Sequence, residues 1–268
     1  MSLLSEWEGQ PVAKWRETWG IPHLEIFRII TSTNDRALAV GRDGRDPWST
    51  VLAESQSHGR GRGGKKWISE EGQGLYLSLL VPSFEPDHLP LVPLRVGLAA
   101  VKVLETIQNQ IPGSTGKQLA LKWPNDLLLS HRKVGGVLCE TAGEAGIAVG
   151  IGLNVRPLSE RMPQGLREVA GSLDEGFGFR VDRGELATAL ISGIRASLQG
   201  QGAVLTPEEL QEYSDRDALL GQKVESEAEG VGVALGLTPS GALILEKVGG
   251  ALRKIRAGSI TKFIKEDA

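Results

Sequence analysis

Apolar and polar positions follow three regimes along this chain. Between Leu24 and Val155, short runs rich in branched and aromatic residues predict strands, with one long helix among them. Leu24–Ile30 is the first strand, and Thr31-Ser32-Thr33-Asn34 turns the chain into a helical Asp35–Ala39. Thr50–Glu54 and Gly74–Val81 are the next two strands. Leu94, Leu98, Val101, Leu104 and Ile107 recur at helical spacing, so Leu94–Gln110 reads as a core-packing helix begun near Pro93. Leu119–Trp123 is a strand stopped by Pro124. Leu127–Leu129 and Val134–Thr141, joined through His131-Arg132-Lys133, read as a hairpin with a loop of about four or five residues. Ile147–Val155 closes the series.

The second regime, Arg156–Asp182, has no period and is rich in Gly, Pro and charge. Helices follow at Leu186–Leu198 and from Pro207 to Tyr213, the latter with proline in its first turn. The third begins at Gly221, where Lys223–Glu227, Gly230–Leu237, Ala242–Val248 and Ala251–Arg256 are short strands separated by turn signals. They predict an all-β appendage of about 45 residues, consistent with a small barrel. Ahead of everything, Trp7, Trp15 and Trp19 would pin a short helical arm onto the body.

Composition narrows the classes. The 268 residues suit one large domain with a small appendage. With 33 acids against 30 bases the net charge is −3, which is not the balance of a polyanion-binding protein. One cysteine, Cys139, permits no intramolecular disulfide and no cysteine cluster to hold a metal. The N-terminus has no signal-peptide pattern, and no apolar run reaches the roughly 18 residues of a membrane span. A cytoplasmic, reducing environment is the expectation, with no membrane partner.

Against that acidic background, Gly59–Trp67 (GRGRGGKKW) packs four glycines and four cations into nine residues. It is too pliable for a strand and too charged for a core. It reads as a mobile loop that closes on an anion, or else as plain solvated surface or a nucleic-acid phosphate contact. Ser32, Thr33 and Asn34 suit helix capping first, and could also bind a neutral polar ligand head. Lys122 sits between Leu121 and Trp123 at a strand end, placed either for edge protection or to project into a cleft. Gly135, Gly136, Gly150 and Gly152 stand where bulkier residues would pack better, which suggests a ligand lying on one face of a sheet.

Taken in order, Ser32–Asn34 (STN), Gln56–Trp67 (Q..GRGRGGKKW), Lys122–Asp126 (KWPND), Lys133–Glu140 (KVGGVL.E) and Gly150–Val155 (GIGLNV) closely resemble the biotin protein ligases. Each motif is weak alone; the ordered set is specific and covers Ile30–Val155. The resemblance implies an α+β fold: a mixed, mainly antiparallel sheet with flanking helices over 1–218, and a small SH3-like β barrel over 219–268. Lys65 departs from the family's GRGR.GR.W, where an arginine is usual, and loses the planar fork. With only 31 residues before Ser32, the chain resembles the monofunctional type that lacks a DNA-binding domain.

What the resemblance implies chemically is ATP- and Mg²⁺-dependent attachment of biotin to a lysine of a carboxylase's biotin carboxyl carrier domain, through biotinyl-5′-adenylate. The implied biotin site is Ser32, Thr33, Asn34, Gln56, Gly59, Arg60, Arg62, Trp67, Lys122, Gly135, Gly136, Gly150 and Gly152. The implied nucleotide site is Arg60, Arg62, Lys122, Asn125 and Asn154, with Lys122 and Arg62 as the catalytic residues. No metal ligand is assigned, and Glu140 and Asp126 are left as structural. An exposed sheet edge would allow a homodimer. The rivals are a lipoyl or octanoyl transferase of similar fold, some of which use a cysteine acyl carrier, and a nucleic-acid-binding regulator. Cys139, in an apolar strand, is expected to be an inert buried thiol.

Overall fold

The computed structural model describes residues 2–110, 116–141, 143, 146–160 and 162–263. Residues 264–268, the end of the expected appendage, lie outside the described residues. A short hairpin of β1 (Glu6–Trp7) and β2 (Gln10–Pro11) leads into α1 (Val12–Trp19). Trp7, Trp15 and Trp19 cluster with ring centroids 5.4 to 6.1 Å apart, as the aromatic spacing suggested. Beneath them the buried Arg183 pairs with both Glu8 and Glu54, so charge is matched where water is scarce.

The main sheet is built from β3 (Leu24–Ile30), β4 (Thr50–Gln56), β5 (Gly74–Val81), β6 (Leu119–Lys122), β7 (Asp126–Leu129), β8 (Arg132–Thr141) and β9 (Ile147–Asn154). Its order is β3-β4-β5-β9-β8-β7-β6. Only β3 and β4 run parallel, bridged by the crossover helix α2 (Thr33–Arg42); every other neighbour is antiparallel. The fold is therefore mixed and mainly antiparallel α+β.

One face carries Leu75, Leu77, Leu79, Leu127, Ile151 and Leu153 into the main core. Against it pack α3 (Val92–Asn109) and α6 (Arg183–Leu198). The other face is covered over β3, β4, β5 and β9, where Ala37, Leu38 and Val40 of α2 cluster with Phe27, Ala53, Leu80 and Ala148. Beyond the end of α2, the same face of β8 and β9 is open, and the cavity lies there.

After β9 come α4 (Gln164–Val169), α5 (Leu173–Phe177) and α7 (Pro207–Ser214), then β10 (Lys223–Ser226), β11 (Gly230–Leu237), β12 (Leu243–Glu246), β13 (Leu252–Ile255) and β14 (Ile260–Phe263). The last five form an antiparallel sheet of order β13-β12-β11-β10-β14. Its inward residues Val224, Ala234, Leu243, Leu245, Ile255 and Ile260 belong to the same apolar cluster as the main sheet. Trp123 Nε1 also donates to Gly241 O at 3.1 Å. The C-terminal sheet is thus docked on the strand end that carries Lys122.

Several sequence expectations need correction. The β7–β8 connection is a two-residue turn, Ser130-His131, with φ of 48° and 66°. Paired positive φ values match hairpin twist, but neither residue is the usual Gly or Asn, so the sequence concealed the turn. Arg156–Asp182 contains two short helices rather than only coil. The outer strands β3 and β6 of the main sheet are partly capped by neighbouring backbone. Leu4 N donates to Ile26 O at 2.8 Å along β3, and Leu121 of β6 exchanges bonds with Arg216 O and Ala218 N at 2.7 and 2.8 Å.

Candidate functional site

Strand alternation decides which glycines reach the cavity, because successive side chains point to opposite faces. Register sets Tyr76 beside Gly152 and Gly152 beside Gly136, all on the face that α2 leaves open. Gly135 pairs with Leu153 instead and faces the core, where a Cβ would collide with Leu153 Cδ2 and come within 2.9 Å of Gly152 O. Gly135 therefore does not line the site, which corrects the sequence expectation. Gly59 is also outside it: a Cβ there would meet Trp67 O at 2.5 Å, at the base of a tight hairpin.

The cavity holds about 760 Å³. Gly136, Leu138, Gly150, Gly152 and Asn154 form its floor, Ser32–Asn34 and Gln56 one wall, and Arg60–Trp67 its roof. Lys122–Asp126 and Lys133 close one end, and Glu227 and Gly258–Ile260 of the C-terminal sheet complete it. Thirteen of the fifteen residues implied by the resemblance line it, all but Gly59 and Gly135. Six cations line it against two acids, in a chain whose net charge is −3. That imbalance makes it an anion site.

The small polar wall is already hydrogen-bonded internally. Ser32 Oγ caps α2 by accepting from Asp35 N at 3.4 Å, so capping is realised. Gln56 Oε1 accepts from Thr33 N at 2.9 Å, and Gln56 Nε2 donates to Ser69 at 2.9 Å. Asn34 Nδ2 donates to Leu138 O at 3.1 Å and Glu140 at 2.8 Å, while its Oδ1 lies 2.6 Å from Ser78 Oγ. A Cβ at Gly150 would collide with that Asn34 oxygen, and one at Gly152 would come within 2.8 Å of the Trp67 indole. The room those glycines leave is thus filled by Asn34 and Trp67. Trp67 walls the site, with Lys133 Nζ 5.4 Å from its ring centroid. The amides of Asn125 and Asn154 donate to Val137 O at 2.8 Å and Gly171 O at 3.0 Å.

The Arg/Gly segment is a hydrogen-bonded hairpin rather than an open loop: Arg60 bridges Lys66, and Gly61 N donates to Lys65 O at 2.6 Å. Gly63 and Gly64 turn it, with φ of 66° and 74°. Arg60 forms a bidentate pair with Asp35 at 2.6 and 2.8 Å and also reaches Glu140 at 3.0 Å. Those carboxylates raise its pKa, with Asp35 first. Arg62 reaches across to Gly258 O at 3.2 Å, and Lys122 to Ile260 O at 3.0 Å. Burial lowers the pKa of both, so each would be relieved by an incoming anion.

Sequence reasoning missed three contributors. Lys133 opens the KVGG motif, and its ion pair with Asp126 at 2.5 Å puts it in the cavity. Met162, Leu166 and Val169 present apolar surface to the site from around α4, with Leu166 and Val169 45% and 59% exposed. Unpartnered apolar side chains facing a cavity were the available signal, but α4 is too short to show a period. The segment Gly258–Ile260 left no local trace at all.

The sequence family model that matches, over residues 26–155, is the biotin/lipoate A/B protein ligase family. The bifunctional ligase/repressor BirA of Bacillus spizizenii is 35% identical over 167 residues, 60% of this chain and 49% of that protein. This chain therefore spans about half the length of that relative. The biotin–[acetyl-CoA-carboxylase] ligase of Mycobacterium tuberculosis is 30% identical over 254 residues, 92% of this chain and 89% of that one. In structure, the chain resembles biotin protein ligase from Aquifex aeolicus in complex with biotin and ATP, with a TM-score of 0.75 and 30% identity. That match covers 90% of this chain and 98% of the other. On motif order, sheet topology and these similarities, the chain belongs to the biotin/lipoate A/B protein ligase family.

Proposed function

We propose that this chain is an ATP-dependent biotin–protein ligase acting on a lysine of a biotin carboxyl carrier domain. The observation that carries the reading is the cavity itself, an apolar, glycine-floored slot roofed and ended by six cations. It suits a molecule with an uncharged bicyclic head and a carboxylate tail that must meet a triphosphate.

In the first step a biotin carboxylate oxygen attacks the α-phosphorus of ATP and pyrophosphate leaves. In the second, the acceptor lysine amine attacks the acyl carbon and AMP leaves, closing an amide. Bringing a carboxylate to a triphosphate is the electrostatic problem. Two unit charges 4 Å apart interact by about 1 kcal/mol in water and about 4 kcal/mol at an effective dielectric near 20. Lys122 and Arg62, both partly desolvated, are assigned to that junction. Arg60, bound to Asp35 and Glu140, would anchor the hairpin unless it exchanged partners. The hairpin roof would exclude water from the mixed anhydride. Met162, Leu166 and Val169 offer apolar surface for a purine face.

No group of three or more His, Cys, Asp or Glu gathers to hold a metal among the described residues. Asp126, which lines the cavity, is the carboxylate that would hold a Mg²⁺ accompanying the triphosphate. Such an ion would neutralise phosphate charge. The cysteine-carrier rival loses support: burial pushes the Cys139 thiol up to about 12, so little thiolate exists near neutral pH. No helix among the described residues is long and apolar enough to cross a membrane.

The test is incubation with ATP, Mg²⁺, biotin and a carrier domain, read by mass spectrometry and AMP release. A biotinylated lysine with stoichiometric AMP is expected. Absence of AMP in the presence of all four components contradicts the reading.

A further inference from the structure

The two cations assigned to the reaction junction share a feature not explained by the main sheet: each donates to a main-chain carbonyl at the β13–β14 connection or the start of β14. Lys122 Nζ donates to Ile260 O at 3.0 Å and Arg62 Nη1 to Gly258 O at 3.2 Å. A lysine stem has four rotatable carbons and about 2 kcal/mol of rotamer entropy to lose, so such a tether fixes where its charge points.

What holds the tether is a second layer. Ser259 Oγ donates to Glu227 Oε2 at 2.7 Å, and Glu227 N donates to Ser259 O at 3.2 Å. This reciprocal pair clasps the middle residue of Gly258–Ile260. Glu227 is itself set by the turn that bears it, where Ser226 Oγ accepts from Ala228 N and Glu229 N at 3.2 and 3.4 Å. The β10–β14 register shifts between Glu225 and Ser226, which brings Ser226 opposite Ile260. Gly258, with φ of 124°, bends the chain toward Arg62. The local chemistry of β10, the bulge and β14 thus converges on one short segment lining the cavity.

We propose that Glu227 is a positioning residue of the adenylation step: by clasping Ser259 it holds the Gly258 and Ile260 carbonyls that aim Arg62 and Lys122. The inference rests on the ligase reading above. It makes the C-terminal sheet a working wall of the site rather than an appendage. Glu227 is exposed, so replacing it removes no core volume.

The test compares the parent chain with Glu227→Ala and Glu227→Gln in single-turnover formation of biotinyl-adenylate, with KM for biotin and the unfolding midpoint measured alongside. Glu227→Ala is expected to lower the adenylation rate about threefold to tenfold, the net scale of one ordinary hydrogen bond, with KM for biotin within about twofold of the parent. Glu227→Gln keeps an acceptor for Ser259 Oγ and should recover at least half of the lost rate. A second arm needs no activity: the rate at which a small amine-acylating reagent labels Lys122, read by peptide mass spectrometry, should rise in Glu227→Ala. Parental adenylation in Glu227→Ala overturns the clasp. So does a drop shared equally by both variants, or unchanged Lys122 labelling. If the parent forms no biotinyl-adenylate, the ligase reading has failed, and the labelling arm alone decides whether Glu227 governs Lys122.

Discussion

A methyl group added at Gly135 would enter the core beside Leu153, whereas one added at Gly152 would press on the Trp67 indole that walls the cavity. The two positions therefore separate stability from binding. Gly135→Ala overpacks a core site and is expected to cost about 1–3 kcal/mol of stability, read from the denaturant midpoint. Gly152→Ala is expected to weaken biotin binding about tenfold in calorimetry with a smaller change in that midpoint, because Trp67 lies at the cavity rather than in the core. The reverse ranking would show that the face assignment is wrong. Lys122 and Arg62 belong to the same scale: single side chains whose burial makes an incoming anion welcome.

Among elements, the Arg60–Trp67 hairpin carries the lid role. Its roof position depends on Arg60, tied to Asp35 and Glu140, while Arg62 points inward and across to the C-terminal sheet. Arg62→Ala should therefore leave the hairpin in place yet loosen its hold on the intermediate, seen as faster release of free biotinyl-adenylate from the enzyme. Equal release from parent and variant would remove the lid argument. The long helix Val92–Asn109 was legible from its period, and strands such as Gly74–Val81 from short runs of β-favouring residues. The facing of Gly135 followed from strand alternation with Gly136, yet the motif reading placed both glycines in the site. The Ser130-His131 turn was not legible, because its positive φ values sit on residues that rarely adopt them. Nor was α4, whose six residues bury nothing. The site's long-range contacts, such as Lys122 to Ile260, join positions 138 residues apart and have no local signature.

On the scale of the whole molecule, the C-terminal sheet and the main sheet share one apolar cluster, and the joint between them passes Leu121 beside Arg216–Ala218. Asp217 lies in that joint, with Oδ1 accepting from Leu219 N at 2.9 Å and Oδ2 buried without a partner among the described residues. Burial pushes its carboxyl up to about 6. Unfolded, it would titrate near 3.9. Between those values the folded state holds a proton that the unfolded state releases, so stability from this group falls as pH rises from about 4 to about 6. Asp217→Asn cannot ionise and should gain about 1–3 kcal/mol on the parent between pH 4 and pH 7, measured as the difference in unfolding free energy. A parallel pH dependence in both proteins would contradict the buried-carboxyl account.

The central claim is that Lys122, aimed into a cationic, water-excluding cavity, joins two anions. Single-turnover formation of biotinyl-adenylate by Lys122→Ala, with unfolding followed on the same sample, tests it most directly. The account predicts a loss of at least about a hundredfold in rate with the unfolding transition retained, the scale of a removed transition-state charge contact. Adenylate formed at the parental rate by a folded Lys122→Ala would contradict it.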